Sequence, residues 1–263
     1  MFKGKWITTK EFVNLPVINV YHKEHDRREI PKSPAELMNN HSRFRKTFIS
    51  DDCSAKYSIN ISADDYYKLY VNGIFVCQGP ASNSHDKYYY NTCDISKYIH
   101  GGKNVIAVHV YYQGYVNRVW NSADNRQGLI ADVFRNDEFL FGTDSSWVYD
   151  YAKEYTDGGT TGYETQFLEN IDFNLAVPDW NKADFDDSDY LPAVVKADDD
   201  HIFSGCVPTV VVYSVKPALV KKLADNHFFV DMGKEYTGQL HFTAKGNKGD
   251  KVIIRCIDTI DER

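Results

Sequence analysis

The chain reads as mainly β, a sandwich built from many short strands. Three observations lead there. Apolar residues recur with a period of two, as a half-buried strand requires. Turn signals interrupt that alternation about every ten residues. No long stretch has the 3.6-residue period of an amphipathic helix, and strands do not alternate with helices, which excludes a Rossmann fold or a TIM barrel.

The elements follow in order. Within the first forty residues PVINVYHK (16–23) is the one clear strand, and EFVNL and SPAELMNN read as short helical turns. Tyr57, Ile59 and Ile61 alternate with Ser58 and Asn60, one face apolar and one polar. Two apolar runs, YYKLYV and IFVC, flank Asn72-Gly73. Both residues of that pair accept positive φ, so it reads as a type I′ hairpin turn. Gly79-Pro80 ends the returning strand, and a tyrosine run at 88–90 opens the next. Asp94 caps a helical turn over DISKYI, which Gly101-Gly102 closes. Residues 104–112 are apolar on both faces, as in the middle of a sandwich. Residues 129–134 and 138–141 form a hairpin turning at Asn136-Asp137, and 147–151 a further strand. From 156 to 200 the pattern weakens into glycines, Pro178 and the acidic runs DFDDSDY and ADDD, read as loops and a boundary. A second β section is expected from PTVVVYSVK (208–216), HFFVDMG, GQLHFTAK and KVIIRCID.

Composition narrows the function. A chain of 263 residues with 43 % hydrophobic residues can bury a full core. The net charge of −7 comes without a Lys/Arg block, which argues against nucleic acid or an anionic membrane as partner. The five cysteines, an odd number without a CxxC pair, are expected as buried reduced thiols. The start, MFKGKWITTK, has no apolar leader, so a cytoplasmic location is expected.

Three stretches, in order and spacing, carry a resemblance: DDYYKLYVNGIFVCQGP (64–80), YYYNTCDISKYIHGGKNVIAVHVYYQG (88–114) and NRVWNSADNRQGLIAD (117–132). They resemble the N-terminal domain of bacterial α-L-rhamnosidases, a family of inverting glycoside hydrolases. SWVYDYA, GYETQF and DWNKADFDDSDYLPA resemble the end of that region, and 229–262 the start of the family's next segment. Tyr190 stands where the family often has a tryptophan.

The resemblance implies a galactose-binding-like (jelly-roll) β-sandwich over 43–195. An N-terminal segment, 1–42, packs on a sandwich, and 196–263 begins a second β-sandwich domain. It implies that the parent enzyme removes terminal L-rhamnose by inversion, without a cofactor. In the family an (α/α)₆ barrel follows and holds the catalytic carboxylates. This chain stops before any such barrel, so by itself it is expected to be inactive, with the catalytic domain as its partner in cis. Sandwiches of this type sometimes hold one structural Ca²⁺, for which the sequence carries no signature.

The residues themselves offer little chemistry. Inversion needs two carboxyl groups across a sugar with room for water. The acidic candidates, Asp186, Asp187, Asp189 and 198–200, read as hydrated surface. No Gly-x-Ser-x-Gly, EF-hand or zinc-type spacing occurs. One loop stands apart. Asn117, Arg118, Trp120, Asp124 and Arg126 gather planar hydrogen-bonding groups and a large ring, the set that grips sugar hydroxyls and stacks on a pyranose face. Glu164, flanked by aromatics, is a further carbohydrate-binding candidate. The alternative is a long loop bonded to itself, with Asp124 and Arg126 as an internal clamp and Trp120 as a plug. Three roles remain open: the non-catalytic part of a glycosidase, a free-standing carbohydrate-binding module, and a structural spacer.

Overall fold

The computed structural model describes residues 2–17, 33–81, 87–114, 124–160, 166–197, 199, 201–247 and 249–257. It divides into two compact units, Met1–Val211 and Val212–Arg263.

The first unit is a sandwich of two sheets. Sheet A contains β1 (Ile7–Thr8), β3 (Tyr57–Asp64), β6 (Lys87–Asp94), β8 (Gly128–Arg135), β9 (Glu138–Gly142), β14 (Val194–Val195) and β15 (Ile202–Cys206). Its order is β14-β1-β8-β3-β6-β15, with β9 also paired to β8. Sheet B contains β2 (Asn40–Ser50), β4 (Tyr66–Val71), β5 (Ile74–Gly79), β7 (Gly102–Tyr112), β10 (Val148–Tyr151) and β13 (Leu191–Pro192). Its order is β13-β10-β2-β7-β4-β5. The inward faces meet in one core that includes Phe44, Tyr57, Ile59, Ile61, Leu69, Val108 and Trp147. The strand at 16–23 falls mostly in 18–32, outside the described residues.

The turn signals take the forms their chemistry requires. Asn72 (φ 50°) and Gly73 (φ 84°) join β4 to β5, and Asn136 (52°) and Asp137 (65°) join β8 to β9. Asn72 does more than turn. Its amide donates to Tyr98 O (2.8 Å) and Asn104 Oδ1 (2.7 Å), and its Oδ1 accepts from Val105 N (2.9 Å). Asn104 in turn donates to the carbonyls of His100 and Gly102. The hairpin is thus tied to the turn that leads into β7. Asp94 Oδ1 accepts from Ser96 N (2.9 Å) at the start of the 3₁₀ turn Ser96–Tyr98.

The region 156–200 does more than loop. β11 (Tyr155–Thr160) and β12 (Phe167–Ile171) form a hairpin, β13 joins sheet B, and β14 joins sheet A. Two-residue strands leave no alternation to read, which is why the pattern weakens there. Beyond them β15 pairs parallel with β6, so the first compact unit runs to Val211. The segment between β12 and β13 lies against the outer face of sheet B. Buried Arg45 donates through Nε to Asp187 Oδ2 (2.9 Å) and bonds the carbonyls of Trp180 and Lys182, with its guanidinium 5.0 Å from the Phe185 ring. Arg43 pairs with Glu154 and lies 5.1 Å from the Trp180 ring. Asp187 is therefore a structural partner rather than hydrated surface. Nearby, His41 Nδ1 and His109 Nε2 are 3.0 Å apart. Burial first, then Lys68, pushes His41 down to about 3, so the pair is neutral at ordinary pH.

The cysteines split. Cys77 and Cys93 are buried with their sulfurs 2.9 Å apart, as free thiols. Cys53, Cys206 and Cys256 are exposed, against expectation. Cys53 sits in the turn after β2, and Cys206 ends the outermost strand of sheet A.

In the second unit β16 (Leu219–Ala224) and β17 (His227–Asp231) form a hairpin turning at Asn226 (φ 56°). HFFVDMG is thus a strand as expected. PTVVVYSVK, GQLHFTAK and the described part of KVIIRCID form none. Their apolar side chains, Val211, Tyr213, Phe242 and Ile253 among them, are exposed. Alternation alone does not make a strand: a ladder partner is required, and these segments have none among the described residues.

Asn72→Ala removes three side-chain hydrogen bonds and places alanine at positive φ. It is expected to cost about 2–3 kcal/mol in a urea melt. Asn72→Asp keeps one acceptor and tolerates the turn, so it falls between alanine and the parent protein. Equal stability of all three would show that the turn tie contributes nothing.

Candidate functional site

The registers bring five strands to one end of sheet A. Asp64 on β3 faces Gly128 on β8, Ile7 on β1 pairs with Leu129, and Phe203 on β15 lies beside Tyr88 on β6. The residues at or just past these strand ends therefore converge. They are Trp6 before β1, Asp64, Tyr88, the segment 124–127 before β8, and His201 before β15.

Asp124 and Arg126 are the two loop candidates that the structure describes. Arg126 Nη1 donates to Asp124 Oδ2 (3.1 Å) and Arg126 N to Asp124 Oδ1 (3.1 Å). Both side chains are buried, at 8 % and 6 % exposure. This is the internal clamp that the sequence left open as an alternative. Tyr88 Oη donates to the same Asp124 Oδ2 (3.0 Å) and lies 3.3 Å from Asp64 Oδ2. Burial, followed by the neighbouring carboxylates Asp124 and Asp65, pushes the Asp64 carboxyl well above the usual range. Asp65 Oδ2 accepts from the Gln113 backbone N–H (2.6 Å).

The rest of the segment is stitched into the sandwich. Asn125 (φ 65°) donates its amide to Pro16 O (3.0 Å), accepts from Ser33 Oγ (3.0 Å), and gives its backbone N–H to Tyr112 Oη (3.0 Å). Gln127, fully buried, accepts from Thr8 Oγ1 (2.7 Å) and donates to Ser42 Oγ (3.2 Å). Gly128 has φ +144°, and a Cβ there would stand 2.2 Å from Ile7 O and 2.6 Å from Trp6 Nε1. Only glycine lets β1 and the Trp6 indole approach this closely.

Aromatic rings form the other wall. His201 stacks on Trp6 with centroids 3.5 Å apart and planes at 17°. Tyr88 lies 4.2 Å from His201 on centroids. Trp6 Nε1 donates to Arg126 O (3.1 Å). His201 Nδ1 is 2.5 Å from Asp199 Oδ1, which also accepts the His201 backbone N–H (3.1 Å). Burial lowers the His201 imidazole against the opposing pull of Asp199, and the ring is neutral near pH 7.

Of the other sequence candidates, Asn117, Arg118 and Trp120 fall in 115–123 and Glu164 in 161–165, outside the described residues. Trp6, Asp64, Tyr88 and His201 were not singled out from the sequence. Only the strand registers, invisible in one sequence, place them beside Asp124. Among the described residues no group of three His, Cys, Asp or Glu side chains is arranged to hold a metal ion. No helix among them is long and apolar enough to cross a membrane.

No protein-family model matches the sequence, and no curated protein matches it. Solved structures do. A GH78 family rhamnosidase of Bacillus sp. GL1 is 22 % identical with a TM-score of 0.67, over 84 % of this chain and 21 % of that one. The α-L-rhamnosidase from Dictyoglumus thermophilum is 23 % identical, with a TM-score of 0.58, over 89 % and 26 %. That from Aspergillus terreus is 22 % identical, with a TM-score of 0.54, over 86 % and 26 %. The chain thus spans a fifth to a quarter of the length of these relatives and shares the fold of that part. The fold likeness falls on the same family that the sequence motifs resemble.

The raised Asp64 carboxyl has a consequence for stability. A carboxyl whose folded value exceeds its unfolded one contributes stability that is fully present below the unfolded value. That contribution is lost as pH rises through the folded value. Asp64→Asn abolishes the titration. Relative to the parent protein, the variant is expected to be more stable at about pH 8 than at about pH 4. Urea melts at both pH values measure this, and a difference that does not change with pH would refute it. Gly128→Ala is expected to lose about 2 kcal/mol or more in the same assay, because backbone atoms rather than a flexible side chain must yield.

Proposed function

We propose that this chain is the N-terminal, non-catalytic portion of an α-L-rhamnosidase-like glycoside hydrolase. It assists substrate recognition or positions the catalytic barrel for hydrolysis of terminal L-rhamnose. One observation carries the reading. The fold likeness covers 84–89 % of this chain but only 21–26 % of each of the three rhamnosidases. The motifs at 64–80, 88–114 and 117–132 support it independently. Under this reading the sandwich is the family's N-terminal domain, expected over 43–195 and extended by β1 before it and β15 after it, and the chain beyond Val211 leads into a second β-sandwich. The ligand is a rhamnose-containing glycoside met at the end of sheet A. Asp124 and Arg126 shape that end; Asn117, Arg118, Trp120 and Glu164, outside the described residues, stay the sequence's candidates for carbohydrate binding. The chemistry belongs to carboxylates on a barrel in cis, without a cofactor.

The spacer reading draws on a different observation. Asp124 and Arg126 are buried and bonded to each other, the mark of a structural clamp rather than of groups held ready for a ligand.

Two measurements test these readings. The isolated chain is expected to release no nitrophenol from p-nitrophenyl α-L-rhamnoside; turnover above a heat-killed control sinks the non-catalytic assignment. In calorimetry with L-rhamnose the chain binds, and Trp120→Ala weakens binding about tenfold or more, the loss of one stacked ring. No heat of binding in the parent chain leaves the spacer reading standing.

A further inference from the structure

Cys77 and Cys93 stand on strands of different sheets. Cys77 lies on β5, at the end of the strand order of sheet B, where β5 pairs among the described residues with β4 alone. Cys93 lies on β6 of sheet A. At this edge of the sandwich β5 and β6 approach each other, and both thiols belong to the shared core. Their sulfurs are 2.9 Å apart. Carbon atoms in contact rest about 3.5–4.0 Å apart, and sulfur is larger than carbon. Two thiols that only filled space would stand further apart. A disulfide bond is about 2.0 Å long, so each sulfur has about half an ångström to move.

The pair is also chemically unequal. The hydrogen bond between the two thiols lowers Cys77 and raises Cys93, which makes Cys77 the better nucleophile. Among the described residues no third Cys, His or carboxylate joins them to hold a metal ion. We propose that Cys77 and Cys93 are the site of a disulfide that staples sheet A to sheet B, formed by exchange with a small-molecule disulfide. The Cys77 thiolate attacks one sulfur of the reagent, forms a mixed disulfide and releases a thiolate, which takes up the proton Cys77 gave up. Cys93 then loses its proton and attacks the Cys77 sulfur, releasing the second half of the reagent as a thiol. One S–S bond is broken in the reagent and one is formed in the protein. Two electrons pass from the protein thiols to the reagent, and both protons end on its two thiols. Access comes from fraying of β5, which the ladder holds on one side.

The test uses the full chain carrying Cys53→Ser, Cys206→Ser and Cys256→Ser, which leaves this pair as its only thiols. The folded chain is incubated with oxidised glutathione, quenched in acid, alkylated in denaturant and cut with trypsin. Peptides 69–87 and 88–97, with one cysteine each, are expected joined, lighter than their sum by two hydrogens, and separated again by dithiothreitol. In urea the same mixture is expected to give the link about tenfold more rarely, because the unfolded chain lacks the high effective concentration of the fold. Refolding the reduced chain from urea in that mixture removes any barrier of access. Recovery of both peptides alkylated after both routes overturns the proposal. So does Cys77 held as a mixed disulfide while Cys93 is alkylated, or an equal yield of the link in urea. A link that forms on refolding but not in the folded chain upholds the site and refutes entry by fraying of β5. If the triple variant does not fold, the parent chain is mapped in the same way, and links to Cys53, Cys206 or Cys256 in place of the joined pair refute the assignment.

Discussion

The structure hangs on the register between β3 and β8. Eight consecutive pairs run from Tyr57 opposite Arg135 to Asp64 opposite Gly128 without a shift. Because side chains alternate with a period of two, this unbroken ladder fixes which residues face the core and also where both strands end together. Ile59, Ile61 and Ala63 turn inward along it. At its end the polypeptide can leave the sheet only through a glycine, since Ile7 and the Trp6 indole occupy the space a side chain would need. Everything gathered at the candidate site follows from that shared terminus. A slip of one residue would turn Asp64 to the other face and separate it from Tyr88 and Asp124.

Much of the sandwich was legible in the sequence because its strongest signals are local. Asn72-Gly73 and Asn136-Asp137 needed only their own backbone preferences to be read as hairpin turns. The runs at 57–61 and 104–112 showed their burial directly. The site was legible only in part. Asp124 and Arg126 stood out because they are close in sequence and complementary in charge. His201 follows an acidic run that reads as hydrated surface, and its stacking on Trp6 spans nearly two hundred residues. Contacts of that range leave no periodic trace. The segments 208–216, 238–245 and 251–257 illustrate the opposite error, since their composition favours strands and none of the described residues pairs with them in a ladder.

The two faces of the sandwich are held by different physics. The interior is apolar and tolerant of exchange among similar shapes. The outer face of sheet B is fastened by buried arginines, with Arg45 reaching Asp187 and two carbonyls and Arg43 reaching Glu154. Removing Arg45 would strand a carboxylate and two carbonyls, and removing Arg43 would strand the Glu154 carboxylate, so this face is specified by hydrogen-bond geometry more than by volume. That explains how an acidic, pattern-poor segment holds one fixed path across the sheet. The neutral His41–His109 pair adds a second polar contact there, one that disfavours an added proton.

The position of β1 sets the order in which the molecule can be made. This two-residue strand lies between β8 and β14, so a segment made before both of its partners waits for residues near 129 and then near 194 before its edges are paired. β15 closes the opposite side of the same sheet later still. Loop closure over such separations is slow compared with hairpin formation. During synthesis the local hairpins β4–β5 and β8–β9 form first, and sheet A stays open on both sides until β14 and β15 have emerged. Until then Trp6 and its neighbours have nowhere to be buried. Until then, too, the unpaired edges of the sheet are open to pairing with other chains.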